Sequence, residues 1–131
     1  MVVDDDESVN SFLTFSLKQE GFEVISVFSA EDGLKKLATQ IPALILLDVM
    51  LPNMDGFAMT KKIREDEKFQ HTPILLITAY AQEQKVNLAR TKEVGAQGFI
   101  EKPIMFDELL VQITDAITGR FSVPTRLKYS A

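Results

Sequence analysis

The sequence predicts an α/β domain in which five parallel strands form one sheet, doubly wound with helices on both faces. Three observations carry this expectation. Short apolar runs alternate five times with segments of helical period, the signature of repeated β-α units. One run, Ala43 to Leu47, is apolar without a break, as suits a central strand covered on both faces. Asp, Thr and Lys residues recur just beyond the apolar runs, at the sheet edge where such folds bind ligands.

The elements follow in order. Met1 to Asp4 reads as a short first strand, and Ser8 to Glu20 as a helix with Phe12, Leu13, Phe15 and Leu17 at helical spacing before Gly21 ends it. Phe22 to Phe28 alternates inward and outward, predicting a strand near the sheet edge. Ser29-Ala30-Glu31-Asp32 has the form of a helix N-cap, with Leu34, Leu37 and Ile41 as the buried stripe of the helix that follows. Ala43 to Leu47 is the third strand. Leu51-Pro52-Asn53-Met54-Asp55-Gly56 is a loop by its Pro, Asn and Gly content, after which helical spacing resumes through Phe57 and Ile63 to about Asp66.

Ile74 to Ile77 is the fourth strand. A polar helix is expected from about Gln82 to Val94, closed by Gly95, and a short fifth strand over Gln97 to Ile100. Phe106 to Ile117 is the last helix, with Leu109, Leu110, Ile113 and Ile117 on one side and Gly119 as its stop. Residues 1–119 therefore form one domain. Residues 120–131 carry Pro124 and little periodicity, and read as a tail or linker.

Composition narrows the function. A chain of 131 residues with 46% hydrophobic and 25% charged content holds one core and no second domain. The absence of cysteine removes disulfides, thiolate nucleophiles, zinc fingers and iron-sulfur ligation. A net charge of -5 without a basic patch speaks against direct nucleic-acid binding. The apolar stretch near Ile41 to Leu47 is too short to span a bilayer, and no signal-peptide pattern opens the chain, so a cytoplasmic location is the default expectation.

If the strands share one parallel sheet, Asp4, Asp5 and Asp6 after the first strand, Asp48 after the third, Thr78 after the fourth and Lys102 after the fifth converge on one edge. Crowded carboxylates repel, and burying them unpaired costs several kcal/mol or raises their pKa. A divalent cation resolves the conflict, and a hard oxygen donor set without His or Cys favours Mg2+. Lys102 then supplies fixed positive charge and Thr78 a hydroxyl donor for a phosphoryl group moving to a carboxylate. Each residue taken singly also has an ordinary explanation. Asp4 to Asp6 could cap a helix, Asp48 could be a turn residue, Thr78 could cap the next helix and Lys102-Pro103 could be a plain loop.

Four segments, Val2-Val3-Asp4-Asp5-Asp6, Leu46-Leu47-Asp48-Val49-Met50-Leu51-Pro52-Asn53-Met54-Asp55-Gly56, Ile77-Thr78-Ala79 and Gly95-Ala96-Gln97-Gly98-Phe99-Ile100-Glu101-Lys102-Pro103, resemble the receiver domains of two-component response regulators. The resemblance runs from residue 1 to about residue 119, with the family's order and spacing. It implies a flavodoxin-like (βα)5 fold with strand order 2-1-3-4-5, the arrangement of chemotaxis regulators. It implies that Asp48 accepts the phosphoryl group, that Asp5 binds Mg2+ directly and Asp4 through water, and that Asp48 and the Met50 carbonyl complete the protein ligands. Thr78 and Lys102 match the pair that contacts the phosphoryl oxygens, and Thr78 with Phe99 the switch pair, although Phe99 is equally well an ordinary core residue. Met50 and Tyr80, two positions past Asp48 and Thr78, stand where side chains tune hydrolysis.

The implied partners are a sensor histidine kinase or histidine phosphotransfer protein, and a downstream target read by the last two strands and helices. Whether phosphorylation drives a homodimer is open. Only three residues precede Asp4, fewer than receivers usually have, which leaves open whether Met1 is the natural start. His71, in a polar stretch before the fourth strand, reads as a solvated loop residue rather than a relay histidine.

Two other functions fit parts of the pattern. Asp4-x-Asp6-x-Ser8 is similar to the nucleophile motif of haloacid dehalogenase-type phosphatases, with Asp4 attacking and Asp6 as general acid; that reading leaves Asp48 and Leu51-Pro52 unexplained. A receiver-fold interaction module that is never phosphorylated is the third, and has no need of crowded carboxylates.

Overall fold

The computed structural model describes residues 1–79 and 90–119. Five strands, β1 (Val2–Val3), β2 (Ser26–Val27), β3 (Ile45–Asp48), β4 (Ile74–Thr78) and β5 (Gly98–Glu101), form one sheet in the order β2-β1-β3-β4-β5. Every pairing is parallel. The helices are α1 (Glu7–Gln19), α2 (Ala30–Leu37), α3 (Gly56–Arg64) and α4 (Phe106–Thr118), with a 3-10 turn at Glu67–Phe69 and helical residues 90–94 between β4 and β5. The expected doubly wound topology is what the chain adopts. The expected helix over Gln82 to Val94 is seen only in its last turn, since residues 80–89, like the tail 120–131, lie outside the described residues.

Alternation along the strands builds two cores. Val3, Ile45, Leu47, Ile74 and Leu76 point to the face covered by α2 and α3, where Leu37, Phe57, Met59 and Ile63 meet them. Val2, Leu46, Leu75, Ile77 and Ile100 point to the opposite face, against Leu13 and Leu17 of α1 and Leu109 and Ile113 of α4. Leu75, Leu76 and Ile77 have no exposed surface. Such a run reads as uniformly apolar because both faces are covered, and each side chain contributes about 1.5–3 kcal/mol by leaving water.

Several expected core residues lie elsewhere. In α1 the buried stripe is Asn10, Leu13 and Leu17, while Phe12 and Phe15 are 46% and 65% exposed. The helix is turned so that only positions three and four apart on the Leu13 side meet the sheet, and Phe12 instead packs edge-on against Phe106 at 6.2 Å. Ile41 is 64% exposed because α2 stops at Leu37, and Ile117 on α4 is 43% exposed. The second strand shrinks from the expected Phe22 to Phe28 to Ser26–Val27, which leaves Phe22 and Phe28 at the surface.

The expected boundaries have clear local causes. Ser29 Oγ accepts the Asp32 N–H at 3.1 Å and Asp55 Oδ1 accepts the Ala58 N–H at 2.8 Å, so each fills an N-cap. Gly119 ends α4 with a left-handed φ of 77°, which a side chain would resist. The Arg64 guanidinium, at the end of α3, donates to the carbonyls of Phe69, Thr72 and Gly95 and to Gln97 Oε1. Gln97 Oε1 also accepts the Ile74 N–H at 2.7 Å. This cluster locks the starts of β4 and β5 together.

Candidate functional site

Parallel pairing brings the carboxyl ends of the strands to one edge. Val3 is paired with Leu47, Asp48 with Ile77 and Thr78 with Glu101, so Asp4, Asp48, Thr78 and Lys102 follow one another across neighbouring strands. Residues 4 and 102, ninety-eight positions apart in the chain, meet because the sheet is in register. The Lys102 N–H donates to the Thr78 carbonyl at 2.7 Å, which fixes the start of the loop that carries its side chain.

The two buried carboxylates share one design. Asp4 Oδ1 accepts the Asp6 N–H at 2.9 Å and Asp48 Oδ1 accepts the Met50 N–H at 3.1 Å, so each holds its own loop in an Asx-type turn. Each turns its Oδ2 toward Lys102, whose Nζ lies 3.5 Å from both. Asp4 is fully buried and Asp48 is 3% exposed. Burial, the charge of Asp48 and contact with its carboxyl push the Asp4 pKa up to about 6, against the Asp6 N–H and Lys102, which favour its ionised form.

Asp5 completes the cluster from the solvent side. Carboxylate oxygens of Asp4, Asp5 and Asp48 lie within 4.8 Å of one another, and Asp5 is exposed while the others are not. Among the described residues, Asp4 Oδ2 is buried with no hydrogen-bond partner beyond the Lys102 charge. Three oxygen donors, one of them short of a partner and none accompanied by His or Cys, fit a hard divalent cation such as Mg2+.

The three acidic residues in a row divide their work in a way their identity conceals. Asp6 Oδ1 accepts the N–H groups of Ser8 at 2.9 Å and Val9 at 3.2 Å, making Asp6 the N-cap of α1. Its Oδ1 is therefore engaged at the start of α1 rather than in the cluster, which counts against Asp6 as the general acid of the dehalogenase-type phosphatase reading. The capping explanation holds for Asp6 and fails for Asp4 and Asp5.

The other expected site residues fall as follows. Thr78 is 1% exposed at the end of β4. Met50 is 53% exposed directly after the Asp48 turn. Phe99 is partly buried on β5 and packs on the α2/α3 core, opposite Leu76 in register. Tyr80 lies outside the described residues. His71 is exposed in the turn before β4 and takes no part in the site.

One position acts through its lack of a side chain. A Cβ on Gly56 would stand 2.6 Å from the Asp48 carbonyl oxygen and 2.8 Å from Val49 Cα. The Gly56 N–H donates to the Val49 carbonyl at 2.9 Å. Glycine lets α3 begin directly against the backbone that carries Asp48. The sequence marks Gly56 as a loop residue, and only the packing shows that it sets the height of the third strand end.

The family model described as "Response regulator receiver domain" matches residues 1–114. The chain belongs to the response regulator receiver domain family. As a receiver domain it serves two-component signalling, in which such domains pair with histidine kinases and carry an acidic, Mg2+-binding pocket. It is 38% identical over 103 residues to the alkaline phosphatase synthesis transcriptional regulatory protein PhoP of Bacillus subtilis, covering 79% of this chain and 41% of that protein. It is 32% identical over 133 residues to the DNA-binding dual master transcriptional regulator RpaA of Synechocystis, covering 99% of this chain and 53% of that one. The chain thus spans about half the length of these curated relatives.

Among solved structures, a response regulator from Chloroflexus aurantiacus superposes on this receiver domain with a TM-score of 0.84 at 29% identity, covering 89% of this chain and 94% of that one. The chemotaxis response regulator CheY4 of Vibrio cholerae gives 0.81 at 30% identity, covering 88% and 94%. No helix among the described residues is long and apolar enough to cross a membrane.

Proposed function

We propose that this receiver domain takes a phosphoryl group onto Asp48 from a phosphohistidine, and answers by changing the partner it binds. The observation that carries the reading is the meeting of Asp48, Asp4 and Lys102, with Lys102 Nζ at 3.5 Å from an oxygen of each acid. Asp48 is the nucleophile because it is the acid held at the central strand end, on a backbone fixed by Gly56 and by the Met50 N–H. Asp5, Asp4, Asp48 and the Met50 carbonyl would hold Mg2+, which when bound offsets the charge of the incoming phosphoryl group.

The chain's own groups supply the rest. Lys102 neutralises charge as the phosphorus-oxygen bond to Asp48 forms and the bond to the donor imidazole nitrogen breaks. Thr78 offers its hydroxyl to the phosphoryl oxygens, and the domain in this sense catalyses its own phosphorylation and dephosphorylation. A phosphoryl group adds up to about two negative charges to a site already rich in carboxylate, and so biases two states of the surface. Thr78 and Phe99 relay that change toward the surface of the last two strands and helices, where a downstream target or a second copy docks. Met50 and Tyr80 shield the phosphoryl group from water.

The receiver spans residues 1–119 and acts in the cytoplasm, with residues 120–131 as tail or linker. PhoP and RpaA are transcriptional regulators longer than this chain; any nucleic-acid binding in a longer protein would belong to a segment other than this acidic domain.

Incubation with acetyl phosphate and Mg2+, followed by intact mass measurement, tests the assignment. The wild type gains one phosphoryl group, Asp4→Asn gains it in part and Asp48→Ala gains none. Retention of the label by Asp48→Ala, or its absence from the wild type, overturns the reading.

A further inference from the structure

Asn10 is a polar residue at the centre of an apolar stripe. It lies on α1 with Leu13 and Leu17, is 1% exposed, and points at the gap between the ends of β1 and β2. Every hydrogen-bonding group of its carboxamide is used. Nδ2 donates to the Asp4 carbonyl at 3.0 Å and to the Val27 carbonyl at 2.8 Å, while Oδ1 accepts from the hydroxyls of Ser26 and Thr14. Two carbonyls on one side and two hydroxyls on the other fix the amide in a single orientation.

The bridge stands where the sheet gives out. The β1/β2 ladder ends at Val3 and Val27, and the next backbone link, Asp4 N–H to the Val27 carbonyl, is already stretched to 3.3 Å. Past this point the strand no longer holds the chain. Asn10 takes over the Asp4 carbonyl, Asp4 Oδ1 the Asp6 N–H, and Asp6 Oδ1 the start of α1. Asp5 lies within this closed set of anchors, and among the described residues no hydrogen bond or ion pair of its exposed side chain aims it at Asp48. Its aim comes from the backbone on either side.

We propose that Asn10 is a positioning residue for the divalent-cation site, holding the Asp4-Asp5 backbone so that both carboxylates face Asp48. This rests on the Mg2+ reading given above. Buried partners that orient metal ligands typically govern affinity by about 10–100-fold. Loss of the bridge should therefore appear in Mg2+ affinity rather than in the chemistry at saturating metal.

The test compares wild type, Asn10→Leu and a control, Leu17→Ala, which weakens the same helix without touching the bridge. Mg2+ affinity is measured by isothermal titration at a temperature where circular dichroism shows all three folded. Phosphorylation by acetyl phosphate is then followed across Mg2+ concentration. Asn10→Leu should raise the Mg2+ dissociation constant about tenfold, with the rate at saturating Mg2+ returning to that of wild type, while Leu17→Ala keeps wild-type affinity. Equal Mg2+ affinity in Asn10→Leu and wild type overturns the inference, as does an equal loss in both variants. If Asn10→Leu does not fold, the double variant Thr14→Val/Ser26→Ala decides by removing both hydroxyls from the amide oxygen: weakened Mg2+ binding supports the bridge and unchanged binding refutes it. A wild type that binds no Mg2+ overturns the metal reading itself, and this proposal with it.

Discussion

Asp4→Asn is expected to make the metal-free domain more stable. The folded protein raises the Asp4 pKa from 3.8 to about 6, chiefly because the carboxylate is buried and secondarily because Asp48 stands beside it. At about 1.4 kcal/mol for each pH unit, the ionised form is disfavoured in the fold by about 3 kcal/mol relative to the neutral form. Asparagine resembles the neutral form, keeps an oxygen for the Asp6 N–H and removes the repulsion. The attraction of Lys102 at 3.5 Å opposes the raised pKa and is already included in it.

The dependence on pH follows from the same values. A carboxyl whose folded pKa is raised binds its proton more tightly folded than unfolded, so its contribution is favourable below pH 3.8 and is lost as pH rises through about 6. Urea denaturation in EDTA should therefore show Asp4→Asn more stable than wild type by about 3 kcal/mol at pH 8, and by about half that at pH 5. Saturating Mg2+ should narrow the gap at pH 8, because a cation at 100 times its dissociation constant adds about 2.7 kcal/mol to whichever protein binds it. An Asp4→Asn domain no more stable than wild type in EDTA at pH 8, or an advantage that does not shrink toward pH 5, would refute the claim that the site is held against electrostatic cost.

Three further outcomes are expected. Gly56→Ala would set a methyl 2.6 Å from the Asp48 carbonyl oxygen, so stability should fall by about 1–3 kcal/mol and Mg2+ affinity with it, measured by denaturation and titration. Met50→Asn replaces a side chain that is 53% exposed beside Asp48 with a short polar one; loss of phosphate should be faster, and an unchanged half-life in the mass assay would count against shielding by Met50. Arg64→Met removes a cation bonded to the carbonyls of Phe69, Thr72 and Gly95, and should cost about 2–4 kcal/mol in urea while Asp48 remains phosphorylatable.

What the sequence determined was the order of elements, the parallel sheet and the chemical types gathered at its edge. Uniform runs such as Ile74 to Ile77 fix themselves as central strands because both faces are covered, and Ser29 and Gly119 mark helix limits because capping is local chemistry. Asp48, Thr78 and Lys102 were legible for the same reason: Asp48 and Thr78 close their strands, Lys102 directly follows one, and the carboxyl ends of parallel strands share an edge.

The tertiary structure decided matters that depend on how one element is rotated and seated against another. Helical period alone accommodates Phe12 and Phe15 as readily as Asn10, and only packing against β1 and β2 put Asn10 inside and the rings outside. Asp4, Asp5 and Asp6 are chemically identical, yet one is buried against Lys102, one faces solvent beside the cluster and one caps α1. Gly56 carries no chemistry at all; its part emerges only when α3 is laid against the backbone of Asp48. Local chain forces choose the elements, while the orientation of side chains between them is a long-range property, set when two apolar faces close on the same sheet.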